Sequence, residues 1–175
     1  MRSQYKLATP SDQKIEIYWA SPHPFFVEQQ QQLIPNWDNP ATYLILFLQQ
    51  SSISLKEMNL NVTQEKDRLR ANFIRFGCEL IFTLQDNGYQ SDLFDPRTGY
   101  PLLSQPGQLT IDDNAVVKAL LNYSVTSYND CSLLTHPTWN HCVYPSTIAT
   151  IAPNELLESL IENYPNIKSI EDCAG

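Results

Sequence analysis

Thr63-Gln-Glu-Lys-Asp-Arg-Leu-Arg-Ala-Asn-Phe-Ile-Arg-Phe-Gly-Cys-Glu-Leu-Ile-Phe-Thr-Leu-Gln-Asp-Asn87 is the stretch on which the fold turns. Leu69, Phe73, Phe76, Leu80 and Leu84 recur at steps of three and four, the spacing that gathers side chains on one face of an α-helix. Glu65, Arg68, Arg75, Glu79 and Asp86 fall mostly away from that stripe. Thr63 is the expected N-cap, with acids close behind it, and Asn87-Gly88 supplies the residue at positive φ that ends such a helix.

Upstream of this helix the periods differ. Thr42 to Gln49 is continuous in apolar, β-prone residues between Asn39-Pro40 and Ser51-Ser52, the pattern of a central strand. Ile15 to Trp19 alternates as a short strand and stops at Ser21-Pro-His-Pro24, since proline has no N–H for a ladder. A helix is expected from Pro24 to Leu33, with Pro24 in its first turn, Pro35 beyond its end, and Gln29 to Gln32 on a solvated face. Residues 1 to 14 are polar and aperiodic and read as a loose lead-in.

Downstream, Tyr89 to Phe94 reads as a short strand and Asp95-Pro-Arg-Thr-Gly99 as a turn, followed by an irregular run to Gly107. Leu109 to Tyr128 mixes a helical stripe, Val116, Val117, Leu120 and Leu121, with the β-prone Tyr123, Val125 and Thr126, giving a helix and then a strand. Cys131 to His136 and Trp139 to Ile151 are expected as two strands turned at Pro137-Thr138. A closing helix follows from Pro153 to Tyr164, and the chain ends in a polar tail over residues 169 to 175. The order implies one domain, residues 15 to 168, of the α+β class: a mixed or antiparallel sheet packed by helices.

A chain of 175 residues is long enough to bury a sizeable core without staples. Its net charge of −8 argues against a nucleic-acid partner, because phosphate recognition needs clustered Lys and Arg. After Arg97 the only basic residues are Lys118 and Lys168, against eight acids, so this half is poorly equipped to clamp a phosphorylated cofactor by charge. Four cysteines are too few for a disulfide scaffold, and Cys78 falls inside the long helix, so the thiols are read as reduced. The longest apolar run, Tyr43 to Leu48, is far below the roughly 20 residues that span a bilayer, and no cationic leader with an apolar stretch is readable. The expectation is a cytoplasmic protein with no membrane partner.

Chemistry-bearing residues concentrate between Asp130 and Val143, which hold two of the four cysteines, two of the three histidines and one of the three tryptophans. Cys131, His136, His141 and Cys142 offer zinc the right atoms, but no Cys-x-x-Cys knuckle is present. If Trp139 to Ile151 is extended, His141 and Cys142 also point to opposite faces. As a nucleophile, Cys131 has Asp130 beside it, whose charge disfavours a thiolate. The plain alternative is that Cys131, Cys142 and Trp139 fill a core while the histidines hydrogen-bond on the surface. Asp92 and Asp95, three apart, read as turn caps in preference to a catalytic pair.

Gly88-Tyr89-x-x-Asp92-x-x-Asp95-Pro96-x-x-Gly99 follows a long amphipathic helix and precedes, some thirty residues later, a cysteine and then His136 and Trp139. This arrangement resembles the methylmalonic aciduria and homocystinuria type D family, across Ile15 to about Asn166. The resemblance implies a nitroreductase-like fold without flavin, and a non-enzymatic role in intracellular vitamin B12 trafficking. It further implies a thiolate just before the His-x-x-Trp stretch that ligates the cobalt of cob(II)alamin. The cobalamin would be transient, shared with a processing protein of the CblC kind or a B12-dependent enzyme. A homodimer also stays open. Cys131 is the expected ligand, with Asp130, His136 and Trp139 beside it, and the turn carrying Tyr89 and Asp95 shaping the adjacent surface. Animal members carry two adjacent cysteines, and an ungapped register puts Asp130 on the ligating one and Cys131 on the second. Either Cys131 takes the role through a bulge or slide, or cobalt is not ligated by sulfur here. Lacking the animal members' long N-terminal extension, the chain is expected to be a bacterial homologue. Two other classes stay open: a flavin- or thiol-dependent reductase of corrinoids or small oxidants, and an interaction module with structural cysteines.

Overall fold

The computed structural model describes residues 2–8, 13–164 and 168–169. The central strand β3 (Tyr43–Gln50) is buried on both faces, as its unbroken apolar run requires, and lies between β2 (Lys14–Ala20) and β7 (Val143–Thr150), antiparallel to each. Outside them stand β1 (Arg2–Ala8) and β8 (Lys168–Ser169) on one side and β4 (Ser91–Leu93) on the other, giving the order β4-β7-β3-β2-β1-β8. The remaining strands, β5 (Ser124–Tyr128) and β6 (Cys131–Thr135), form a separate antiparallel hairpin.

Side chains alternate across this sheet, so each face gathers its own core. Ile17, Trp19, Ile45, Phe47 and Ile148 pack against the long helix α2 (Leu60–Asp86) and against α4 (Asn154–Glu162). Tyr18, Leu44, Leu46, Leu48 and Val143 face the opposite way, onto α1 (Pro24–Leu33), α3 (Asp113–Leu121) and the β5–β6 hairpin. The stripe Leu69, Phe73, Phe76, Leu80 and Leu84 is buried throughout, and Phe47 stacks on Phe76 at 4.4 Å. The α+β class and an antiparallel sheet are therefore established.

Several local expectations are corrected. Arg2–Ala8 is not a loose lead-in but pairs along its whole length with Lys14–Ala20; an open strand edge recruits a partner through main-chain bonds, which need no apolar period. Of the expected polar tail, only Ser169 lies among the described residues. The cap of α2 is Asn59, whose side chain accepts from Val62 N, so the helix starts three residues before Thr63. Glu65, placed on the polar side by periodicity, is buried and accepts hydrogen bonds from Ser51 Oγ and from the backbone and hydroxyl of Ser52. The strand expected over 89–94 is confined to Ser91–Leu93.

The largest correction concerns residues 136 to 142. Cys131–Thr135 pairs with β5, not with β7, and residues 139–142 form a turn ahead of β7. His136 and Asn140 exchange both backbone hydrogen bonds, Asn140 takes a left-handed φ of 51°, and Cys142 N donates to Trp139 O. Asparagine tolerates that conformation, so the chain reverses there instead of extending. With no strand at 141 and 142, strand parity says nothing about His141 and Cys142.

Candidate functional site

The β5–β6 hairpin closes on Asn129 and Asp130, with φ of 48° and 60°, between the paired residues Tyr128 and Cys131. Two consecutive residues at positive φ make the tight turn that matches strand twist, and Asn and Asp enter that region at least cost. Asp130 is thus fixed as a turn residue. Cys131, the next residue, opens β6 at the hairpin tip with its side chain exposed. Its thiol donates to the thioether of Met58, Sγ to Sδ 4.0 Å, and Met58 is itself 80% exposed. The loop bearing Met58 is held against the hairpin by Lys56, whose Nζ lies 4.3 Å from the centre of the Tyr128 ring. Two soft sulfur atoms therefore sit together on an exposed tip.

At the other end of β6 lies His136, only 2% exposed. Its ring stacks on Trp139 at 4.1 Å and meets Tyr123 edge-on at 5.2 Å. The backbone N–H groups of Thr138 and Trp139 both donate to Nδ1 at 3.2 Å. That leaves the proton on Nε2, which donates to Glu16 Oε2 at 3.2 Å. Glu16 also accepts from the Tyr18 hydroxyl, which lies 3.3 Å from that of Tyr123. Burial first, and then the bonds to Glu16 and Tyr123, push the Tyr18 phenol far above its ordinary range, so it stays a donor. With both nitrogens engaged, His136 anchors the hairpin base and has no free lone pair for a metal. The expectation of surface histidines fails here, because the Glu16 carboxylate gives a buried imidazole its partner.

Trp139 is buried beside His136, and Cys142 is half-buried against the same core. His141 turns Nδ1 toward Leu134 O and Thr135 Oγ1, at 3.4 and 3.5 Å. Among the described residues no three His, Cys, Asp or Glu side chains converge on a point that could hold a metal. Tyr89 packs with the α2 and α4 core on the opposite face of the sheet, apart from the hairpin. Asp95 takes a bidentate pair from Arg70, at 2.6 and 2.7 Å, and accepts from Arg97 N; that guanidinium holds its carboxyl below the usual range. Asp92, fully buried, accepts from the N–H groups of Leu93, Leu103 and Ser104 and so folds the following loop. Gly99, at φ 74°, lies so near Ile111 that a Cβ would stand 2.5 Å from its carbonyl oxygen.

Between the 96–99 turn, the start of α3, β6 and the first half of α2 opens a cleft of about 560 Å³, with Ser132, one residue from Cys131, on its wall. Asp113 lines it and accepts from Thr147 Oγ1 at 2.6 Å. Burial, with the charges of Asp112 and Asp95 added, pushes the Asp113 carboxyl up to about 7 against the opposing Thr147 bond. Burial also raises the Tyr144 phenol beside it. Sequence reading missed Met58, Glu16, Asp113 and the hairpin turn. Of these only Asn129-Asp130, between β-prone runs, carried a readable signal.

The family model described as methylmalonic aciduria and homocystinuria type D protein matches residues 10–160. The cobalamin trafficking protein CblD of Rattus norvegicus is 23% identical over 120 residues, covering 69% of this chain and 40% of that relative. The chain thus spans about two fifths of the length of the curated relative it matches.

Proposed function

From the premise that the chain belongs to the methylmalonic aciduria and homocystinuria type D family, we propose that it is a non-enzymatic adaptor in cobalamin trafficking. In this reading it presents the Cys131 thiolate to the cobalt of cob(II)alamin while a CblC-like processing protein, or a B12-dependent enzyme, holds the corrin. The observation that carries it is the exposed Cys131 sulfur on the tip of a tight hairpin. A thiol standing outward on a rigid turn suits a metal held by another molecule. Sulfur is a soft donor matched to cobalt in a corrin, and ligation drives the thiol to deprotonate despite its acidic neighbour Asp130.

The turn geometry speaks to the register at Asp130. A residue at φ 60° is a poor place for a cysteine, whereas the next position begins a strand and projects its side chain freely. Cys131 serves as the ligand with no bulge or slide, and Asp130 serves the turn. His136 and Trp139 act one step removed, fixing the base of the hairpin so that its tip is held still. The nitroreductase-like, flavin-free character of the fold and a cytoplasmic location are parts of the same proposal.

The test is to offer cob(II)alamin to the purified protein with and without a corrinoid-processing partner, following absorbance and electron paramagnetic resonance. A thiolate-ligated signal that vanishes in Cys131→Ser is expected. An identical spectrum in that variant would defeat the cobalt assignment.

A further inference from the structure

The two most exposed large apolar side chains among the described residues, Met58 at 80% and Leu60 at 70%, stand on either side of Asn59, the cap of α2. The backbone beneath them is tied down. Leu55 N donates to His141 O, Asn59 accepts from Val62 N, and Glu65 holds the start of the loop at Ser51 and Ser52. Tyr128 and Cys131 are the last pair of the hairpin, and the loop touches both: Lys56 lies over the Tyr128 ring and Met58 meets the Cys131 sulfur. An unbranched, flexible thioether therefore projects into water from a fixed backbone, beside the exposed thiol.

Ligation at Cys131 determines what Met58 would meet. As the Co–S bond forms, the thiol proton leaves to water and the sulfur lone pair enters the bond; any ligand on that face of cobalt departs, and the metal stays Co(II). The S–H bond to Met58 is lost with the proton, so the thioether is released. A metal–thiolate bond of about 2.3 Å, the value for zinc, holds the macrocycle close above the sulfur. The corrin spreads on every side of cobalt, across the direction of that bond. An atom 4.0 Å from Sγ then lies at the face of the ring, and Met58 has the rotational freedom to settle against it.

The geometry points to Met58 as the residue that packs on the corrin face, an apolar contact that steadies the ring while Cys131 ligates its cobalt. This inference rests on the cobalt reading above and adds to it a second residue with a separate role. Covering an exposed apolar side chain favours the bound state, and a polarizable sulfur suits a conjugated ring.

The test titrates cob(II)alamin into the purified chain together with a corrinoid-processing partner, following absorbance and electron paramagnetic resonance. Met58→Ala should give the parent's thiolate-ligated spectrum at saturation, with apparent affinity about tenfold weaker. Met58→Leu, which restores an apolar side chain of similar volume, should bind within about twofold of the parent. Met58→Asp should bind more weakly than Met58→Ala, since it sets a charge against the ring. Phe82→Ala, at an exposed apolar position near the other end of α2, should bind as the parent does. A thiolate signal with Met58→Ala as tight as the parent would overturn the role of Met58 and leave the cobalt reading standing. A Met58→Ala spectrum matching that of Cys131→Ser would make the thioether the ligand, and would overturn it too. Absence of a thiolate signal in the parent would bring down the cobalt reading and this inference together.

Discussion

The Sγ of Cys131 lies 4.0 Å from the Sδ of Met58, joining residues 73 apart in sequence at one exposed point of the surface. The other two described cysteines, Cys78 and Cys142, are half-buried, and burial with the nearby Asp92 charge raises the Cys78 thiol. Brief treatment with iodoacetamide should therefore alkylate Cys131 first, by about tenfold or more over Cys78 and Cys142, since reaction needs an accessible thiol. Peptide mass mapping reads this directly; Cys142 modified ahead of Cys131 would contradict the hairpin placement.

His136 ties the hairpin base to β2 through Glu16, 120 residues away in sequence. His136→Ala removes a buried stacked ring and strips Glu16 of one donor, an expected loss of about 3 kcal/mol. Urea denaturation measures it. A loss below about 1 kcal/mol would mean that the network is not holding the hairpin.

Asp113 gives a pH dependence of unusual sign. Its folded-state pKa, about 7, is above the ordinary carboxylate value of 3.8, so the folded state binds more protons between them. Stability from this group falls as pH rises from about 4 to about 7 and is flat beyond. Asp113→Asn, which keeps an oxygen for the Thr147 hydroxyl, should melt higher than the parent at pH 8. The gap should close toward pH 4. Parallel melting curves at both pH values would refute the assignment.

Glu65 acts oppositely. The Arg68 guanidinium, with bonds from Ser52, outweighs burial and holds its carboxyl down at about 2, against an ordinary 4.5. Its stabilising contribution is complete above pH 4.5 and is lost as pH falls toward 2. Glu65→Gln should be less stable at pH 7 and show a shallower decline through that window, read by melting temperature against pH.

Gly99 is fixed by contact with the Ile111 carbonyl and by its positive φ. Gly99→Ala should cost about 2–4 kcal/mol, combining strain with displacement of the strand of chain leading into α3. Denaturant titration measures this, and a neutral result would rule out so close an approach.

The sequence by itself determined the elements whose cause is local. The α2 stripe, the bounded apolar run of β3, and Pro24 opening α1 each carry their own period or stop signal, and the helix at 24–33 is found at those bounds. It also marked the region of Cys131, His136 and Trp139, because residue chemistry is visible without coordinates. Only tertiary structure decided what those residues do. Whether Cys131 is core or surface depends on pairing β6 with β5 instead of β7, a choice between two β-prone neighbours that local pattern leaves equal. Whether His136 is a ligand or an anchor depends on Glu16, which only the sheet brings beside it. The cleft lies where β4 stops short along β7, a property of how far one strand runs along another. Periodicity reports which face a residue prefers; it does not report which distant group will be waiting there.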